Sequence, residues 1–194
     1  MKKELPIYKM TINELDSADS EVNYVALVDT PAIERTWMAF EKIKQRFQAD
    51  PERNIITGAL MIADLPIYRR DEIRGEYYVV FDKTTIEKIV QKFFRKGYTN
   101  NVNMMHDPNK KVEGVYMFES FMVDQSRGIL APKGFEGITE GSWIGSYKID
   151  NQKVMDEFIK TGLFTGFSVE GIFEYEFEES EDEKTIRQII KSLS

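Results

Sequence analysis

The hydrophobic pattern changes period several times along this chain, and each change marks an element. Val22-Asn23-Tyr24-Val25-Ala26-Leu27-Val28 is a β-branched run closed by Asp29-Thr30-Pro31, which predicts a mostly buried strand. Ile55 to Ile62 and Gly75 to Phe81 are two further runs of this kind, separated by the loop Ala63 to Arg70 with Pro66 inside it. From Asp82 the period becomes helical. Ile86, Ile89, Val90, Phe93 and Phe94 fall at i, i+3, i+4, i+7 and i+8 and line one face. Asp82 or Thr84 caps this helix, Glu87 follows Thr84 at capping-box spacing, and Gly97 supplies the stop.

Strand signals then return. Val102 to Met105 leads into His106, Val112 to Val123 is a long apolar run, and Gly141 to Ile149 is another. Within the long run, Val115, Met117, Glu119, Phe121 and Val123 share a face if no bulge intervenes, which sets a carboxylate among apolar neighbours. Asn151 caps a second helix with Val154, Met155, Phe158 and Ile159 on one side, and Gly162 closes it. A last strand runs from Leu163 and ends in the strict alternation Phe173-Glu174-Tyr175-Glu176-Phe177. Residues 32–54 read as a connector, exposed and mobile over 40–53, with a turn at Asp50 to Asn54; residues 124–141 read as a loop. Ile7, Met10 and Ile12 pack locally in a polar amino-terminal stretch. About seven strands and two interior helices predict an α+β, mainly β fold: a closed β-barrel with surrounding helices. It forms one domain over residues 1–177. An acidic segment, 178–194, follows with a short helix at Ile186, Ile189 and Ile190.

Composition narrows the chemistry. A net charge of −7 and a pI near 5.0 argue against a nucleic-acid-binding surface. With no cysteine, disulfides, thiolate zinc sites and a cysteine nucleophile are excluded; with one histidine, so is a multi-histidine metal site. The sequence has no calcium-loop pattern, so neither metal nor cofactor is expected. No apolar run reaches the length of about 18 residues that a membrane helix needs. The start, Met-Lys-Lys-Glu-Leu-Pro, lacks the apolar core of a signal peptide, so a cytoplasmic protein is expected.

One hydroxyl stands out against that background. In Leu163-Phe164-Thr165-Gly166-Phe167-Ser168-Val169-Glu170-Gly171 it sits in an apolar strand between glycines. Such a serine is either a packed small residue or a nucleophile held at a fixed spot. A serine nucleophile needs a base within hydrogen-bond reach, and the base needs an orienting partner. His106, the chain's single imidazole, is the one candidate base; it stands where a strand gives way to a turn, a place that also suits a surface histidine. Glu119 is the first choice of orienting carboxylate, because its strand face is otherwise apolar and a buried carboxylate needs a partner. Arginine pairing would serve Glu119 as well. Asp107, Asp124, Glu170 and Glu174 follow it as candidates.

Five segments in order carry a family resemblance: Tyr24 to Ala32, Asn101 to Asp107, Val112 to Ser120, Gly141 to Ser146 and Gly162 to Gly171. Together they resemble the XkdF-type phage prohead serine proteases, over about residues 22–177. The resemblance implies the herpesvirus-protease-like (assemblin-like) barrel, with a serine nucleophile on Ser168 and a histidine base on His106. It also implies a capsid-maturation endopeptidase. Such an enzyme cleaves the scaffold protein, the major capsid protein and itself inside an immature prohead in the host cytoplasm, from a phage or a bacterial prophage. A homo-oligomer, such as a dimer, is part of that expectation. The third catalytic member varies in this group, so Glu119 rests on the strand reading. The competing reading is an inactive scaffold or capsid-assembly protein of the same fold.

Overall fold

Period-two alternation and β-branched runs dictate strands, and strands make up most of the computed structural model, which describes residues 5–15, 17–29 and 46–177. Among the described residues there are three four-stranded sheets. The first has the order β12 (Glu174–Phe177), β1 (Ile7–Thr11), β6 (Gly75–Val80), β5 (Ile67–Asp71). The second runs β3 (Gln48–Asp50), β4 (Ile55–Met61), β10 (Trp143–Ile149), β9 (Val115–Met122). The third runs β11 (Gly166–Ile172), β2 (Glu21–Val28), β7 (Val102–Met104), β8 (Asp107–Lys111).

The closed barrel expected from the sequence does not form. Each of the three sheets is open, and the described helices are few. The reason is physical. A near-continuous apolar strand records that both of its faces are covered, and open sheets packed around a shared core cover them as well as a closed wall does. Several strands were also too short to be marked by their pattern. Gln48–Asp50 pairs antiparallel with β4 inside the stretch expected to be a mobile connector. Asp107–Lys111 pairs with β7 where a turn was expected. The segments 30–45 and 178–194, with the expected terminal helix, lie outside the described residues.

The helix α1 (Lys83–Arg95) forms as its periodicity dictates. Asp82 is the N-cap, accepting the Thr85 amide at 2.7 Å, and Gly97 takes the left-handed conformation (φ 72°) just past the end. Ile86, Ile89 and Phe93 are buried, and the Phe93 ring stands 5.2 Å from Trp143 of β10. The face also carries a cation. Lys92 is 1 % exposed, and its Nζ donates to four main-chain carbonyls, those of Asn13, Leu15, Ala18 and Ser20, at 2.8–3.0 Å. The short α2 (Gln152–Val154), capped by Asn151, runs into a π-helical turn, Met155–Ile159.

Two bulges decide which side chains share a face. On β9 the register against β10 slips between Ser146 and Tyr147, which pair with Glu119 and Met117, so Phe118 is the extra residue. Between β11 and β2 the register slips where Glu170 and Gly171 pair with Tyr24 and Val22, so Asn23 of β2 is the extra residue. There the two backbones come so close that a methyl group on Gly171 would run into the Glu21 carbonyl. Gly171→Ala is therefore expected to destabilise the fold by about 1–3 kcal/mol, read as a lower midpoint in chemical denaturation. An unchanged midpoint would show that the bulge yields freely.

Candidate active site

The third sheet presents two unlike faces. Phe167 and Val169 of β11, Leu27 and Val25 of β2 and Val102 of β7 pack into the core. Phe167 reaches the second sheet, with Tyr147 at 5.0 Å and Phe47 at 5.5 Å between ring centroids. Strand alternation puts Ser168 and Glu170 together on the opposite face. Ser168 pairs with Ala26, and Ala26 with Asn103, so one lateral row crosses three strands as Ser168, Ala26, Asn103. All three are buried; Ser168 is 7 % exposed.

His106 reaches this face from a hairpin. Met104 pairs with Asp107, so Met105 and His106 form the two-residue connection between β7 and β8. Their φ values, 54° and 59°, put both in the left-handed region, the signature of a type I′ turn. Asn-Gly suits such a turn; Met-His does not, and each residue costs about 1–2 kcal/mol there. Strain of this kind persists where the surrounding structure over-determines it. Here the parallel ladder does so, carried on by the Met105 amide donating to the Leu27 carbonyl at 3.0 Å.

The imidazole meets a carboxylate, and it is that of Glu170. His106 Nδ1 lies 3.1 Å from Glu170 Oε1, with the two side chains 42 % and 26 % exposed. Asn103 Nδ2 donates to that same oxygen at 2.5 Å. The Ser168 hydroxyl makes no hydrogen bond among the described residues, to His106 or otherwise.

Glu119, the first choice from the sequence, is elsewhere. It lies on β9 of the second sheet, exposed, and its Oε2 accepts from Ser146 Oγ at 2.6 Å. Ser146 in turn is 2.9 Å from Thr57 Oγ1. The bulge at Phe118 interrupts the alternation that would have kept Glu119 on the buried face of Val115 and Met117. The other carboxylate candidates are also engaged. Asp107 binds the Asn109 amide and Lys110, the amide holding its carboxyl below the usual range. Asp124 caps the turn Gln125–Arg127, and Glu174 accepts from Ser20.

Glu170 stood among the candidates behind Glu119; the signal that would have raised it is its place two residues after Ser168 on one strand. Asn103 was not among them, since only strand pairing shows that it shares the face of Ser168 and Glu170. Among the described residues no cluster of three or more His, Asp or Glu could hold a metal ion, and no helix is long and apolar enough to cross a membrane. Over residues 42–176, well over half its length and including His106, Ser168 and Glu170, the chain matches the family described as "putative phage serine protease XkdF". No curated protein and no solved structure matches it.

Proposed function

The chain belongs to the XkdF family of phage serine proteases, and on that premise we propose that it is a prohead maturation endopeptidase working through Ser168, His106 and Glu170. The observation that carries this reading is the contact between His106 Nδ1 and Glu170 Oε1 on the sheet face that also bears Ser168. With Nδ1 turned to the carboxylate, Nε2 is the nitrogen left for the serine. His106 takes the Ser168 proton as the oxygen attacks the peptide carbonyl, then gives it to the departing amine; water releases the acyl group by the reverse proton path. Glu170 holds the ring in the useful tautomer and stabilises the imidazolium that forms. Catalytic hydrogen bonds commonly tighten when substrate binds, so a serine without a partner suits a resting site.

The substrates in this proposal are the scaffold protein, the major capsid protein and the chain itself. The setting is the immature shell in the host cytoplasm, whether the gene resides in a phage or a prophage. The active form is a homo-oligomer. The test is co-expression with the scaffold and capsid proteins of the same head-assembly system, with processed ends read by mass spectrometry. The wild-type chain is expected to generate new termini in both partners. Glu170→Gln is expected to slow processing by roughly 10²-fold or more, as for an orienting carboxylate replaced by its amide. Glu119→Gln should leave it near the wild-type rate. Intact partners with the wild-type chain would sink the reading; the opposite order of the two variants would return the carboxylate role to Glu119.

A further inference from the structure

Asn103 is 1 % exposed on β7, two strands away from Glu170. Strand spacing separates those backbones by roughly 10 Å. Glu170 pairs with Tyr24 on β2, and its side chain reaches Asn103 diagonally, past Ala26, which carries no side chain beyond its methyl group. At the far end one carboxylate oxygen, Oε1, meets two nitrogens: Asn103 Nδ2 at 2.5 Å and His106 Nδ1 at 3.1 Å. The other half of the amide is idle, because Asn103 Oδ1 is buried and has no hydrogen-bond partner among the described residues. An amide buried with its acceptor unused stabilises a fold less than an apolar side chain of the same outline. Its stabilising worth does not account for Asn103; its donor does.

The geometry points to Asn103 as a positioning residue that fixes the Glu170 carboxylate and, through it, the His106 ring. The assignment rests on the reading of Ser168, His106 and Glu170 given above. A carboxylate and an imidazole that hold only each other have no fixed reference to the sheet. Asn103 supplies one, since its strand is laddered to β2 on one side and β8 on the other. It does so without charge. An arginine in its place would also hold the carboxylate, but would oppose the imidazolium that forms during catalysis; a neutral amide donor does not.

The test needs no knowledge of the cleavage sequence. The full chain is treated with a fluorophosphonate, which modifies activated serines, and the labelled residue is identified by mass spectrometry. Wild type is expected to label at Ser168. Asn103→Leu should keep or raise the denaturation midpoint. It should lower the maximal labelling rate about tenfold or more, with the half-saturating probe concentration unchanged. Asn103→Ala, which also removes the donor, should lose as much, and stands in if the leucine variant does not fold. In a Glu170→Gln background, adding Asn103→Leu should cost no further rate, because Asn103 acts only through Glu170. Wild-type labelling rates in both Asn103 variants, or losses that multiply in the double variant, would overturn the assignment. A wild-type chain unlabelled at Ser168 would instead remove the protease reading beneath it.

Discussion

On the proposed protease reading, Ser168→Ala is expected to abolish processing of the chain and of the scaffold and capsid proteins while leaving the fold intact. Losing the attacking atom removes the whole acyl-transfer route, a fall of about 10⁴- to 10⁶-fold in rate. The structural cost is small. Ser168 is buried on β11, but its hydroxyl makes no hydrogen bond among the described residues, so alanine leaves no partner stranded. A change within about 1 kcal/mol in stability is expected. Both halves are measurable on one preparation, by mass spectrometry of the termini and by denaturant titration. Processing that survives the substitution would end the protease reading. A collapse of the fold would show that the hydroxyl is structural.

The largest effect on stability is expected at Lys92. Its ammonium sits among four carbonyls of the 13–20 segment and fills the place a bound cation would take. The segment is further tied down by Lys88, 2.6 Å from Glu14, and by Arg95, which donates to the Glu14 carbonyl at 3.0 Å. These three cations lie along one side of α1, at i, i+4 and i+7. Ser20 carries the link onward, accepting the Asn13 amide at 2.8 Å and donating to Glu174 at 3.0 Å. Lys92→Met keeps the stem's bulk but strands the carbonyls. A loss of roughly 3–5 kcal/mol is expected, because breaking a buried charged network leaves its partners unsatisfied. In a chain of this size that lowers the melting temperature by about 10 °C. A loss below about 1 kcal/mol would mean that water serves the carbonyls equally well.

How much of the site could be read beforehand is clearest at the two glutamates. Both Glu119 and Glu170 were candidates on apolar strands. The reading of Glu119 depended on unbroken alternation from Val115 to Val123, and one inserted residue, Phe118, breaks it. A bulge is set by how β9 must curve against β10, and nothing in the composition of 115–123 announces it. The bulge beside Glu170 lies on the partner strand, at Asn23 of β2, so β11 keeps its alternation and the spacing from Ser168 survives folding unchanged. Lys92 teaches the same lesson on a helix. Its neighbours Ile89 and Phe93 mark the buried face, yet a lysine beside them reads as solvated until the carbonyls that receive it are in place.

Taken by itself, the order of residues determined the local elements and the chemical inventory. It fixed the buried runs of β2, β4, β6 and β10, the capped helix α1, and a single histidine as the one base available to a serine. These follow from short-range periodicity and from residue identity, which do not depend on distant partners. The tertiary structure decided whether the sheets close, where the bulges fall, and which carboxylate meets His106. Those depend on strand pairing and register between segments far apart in the chain, and a hydrophobic pattern constrains the facing of each strand without specifying its neighbour.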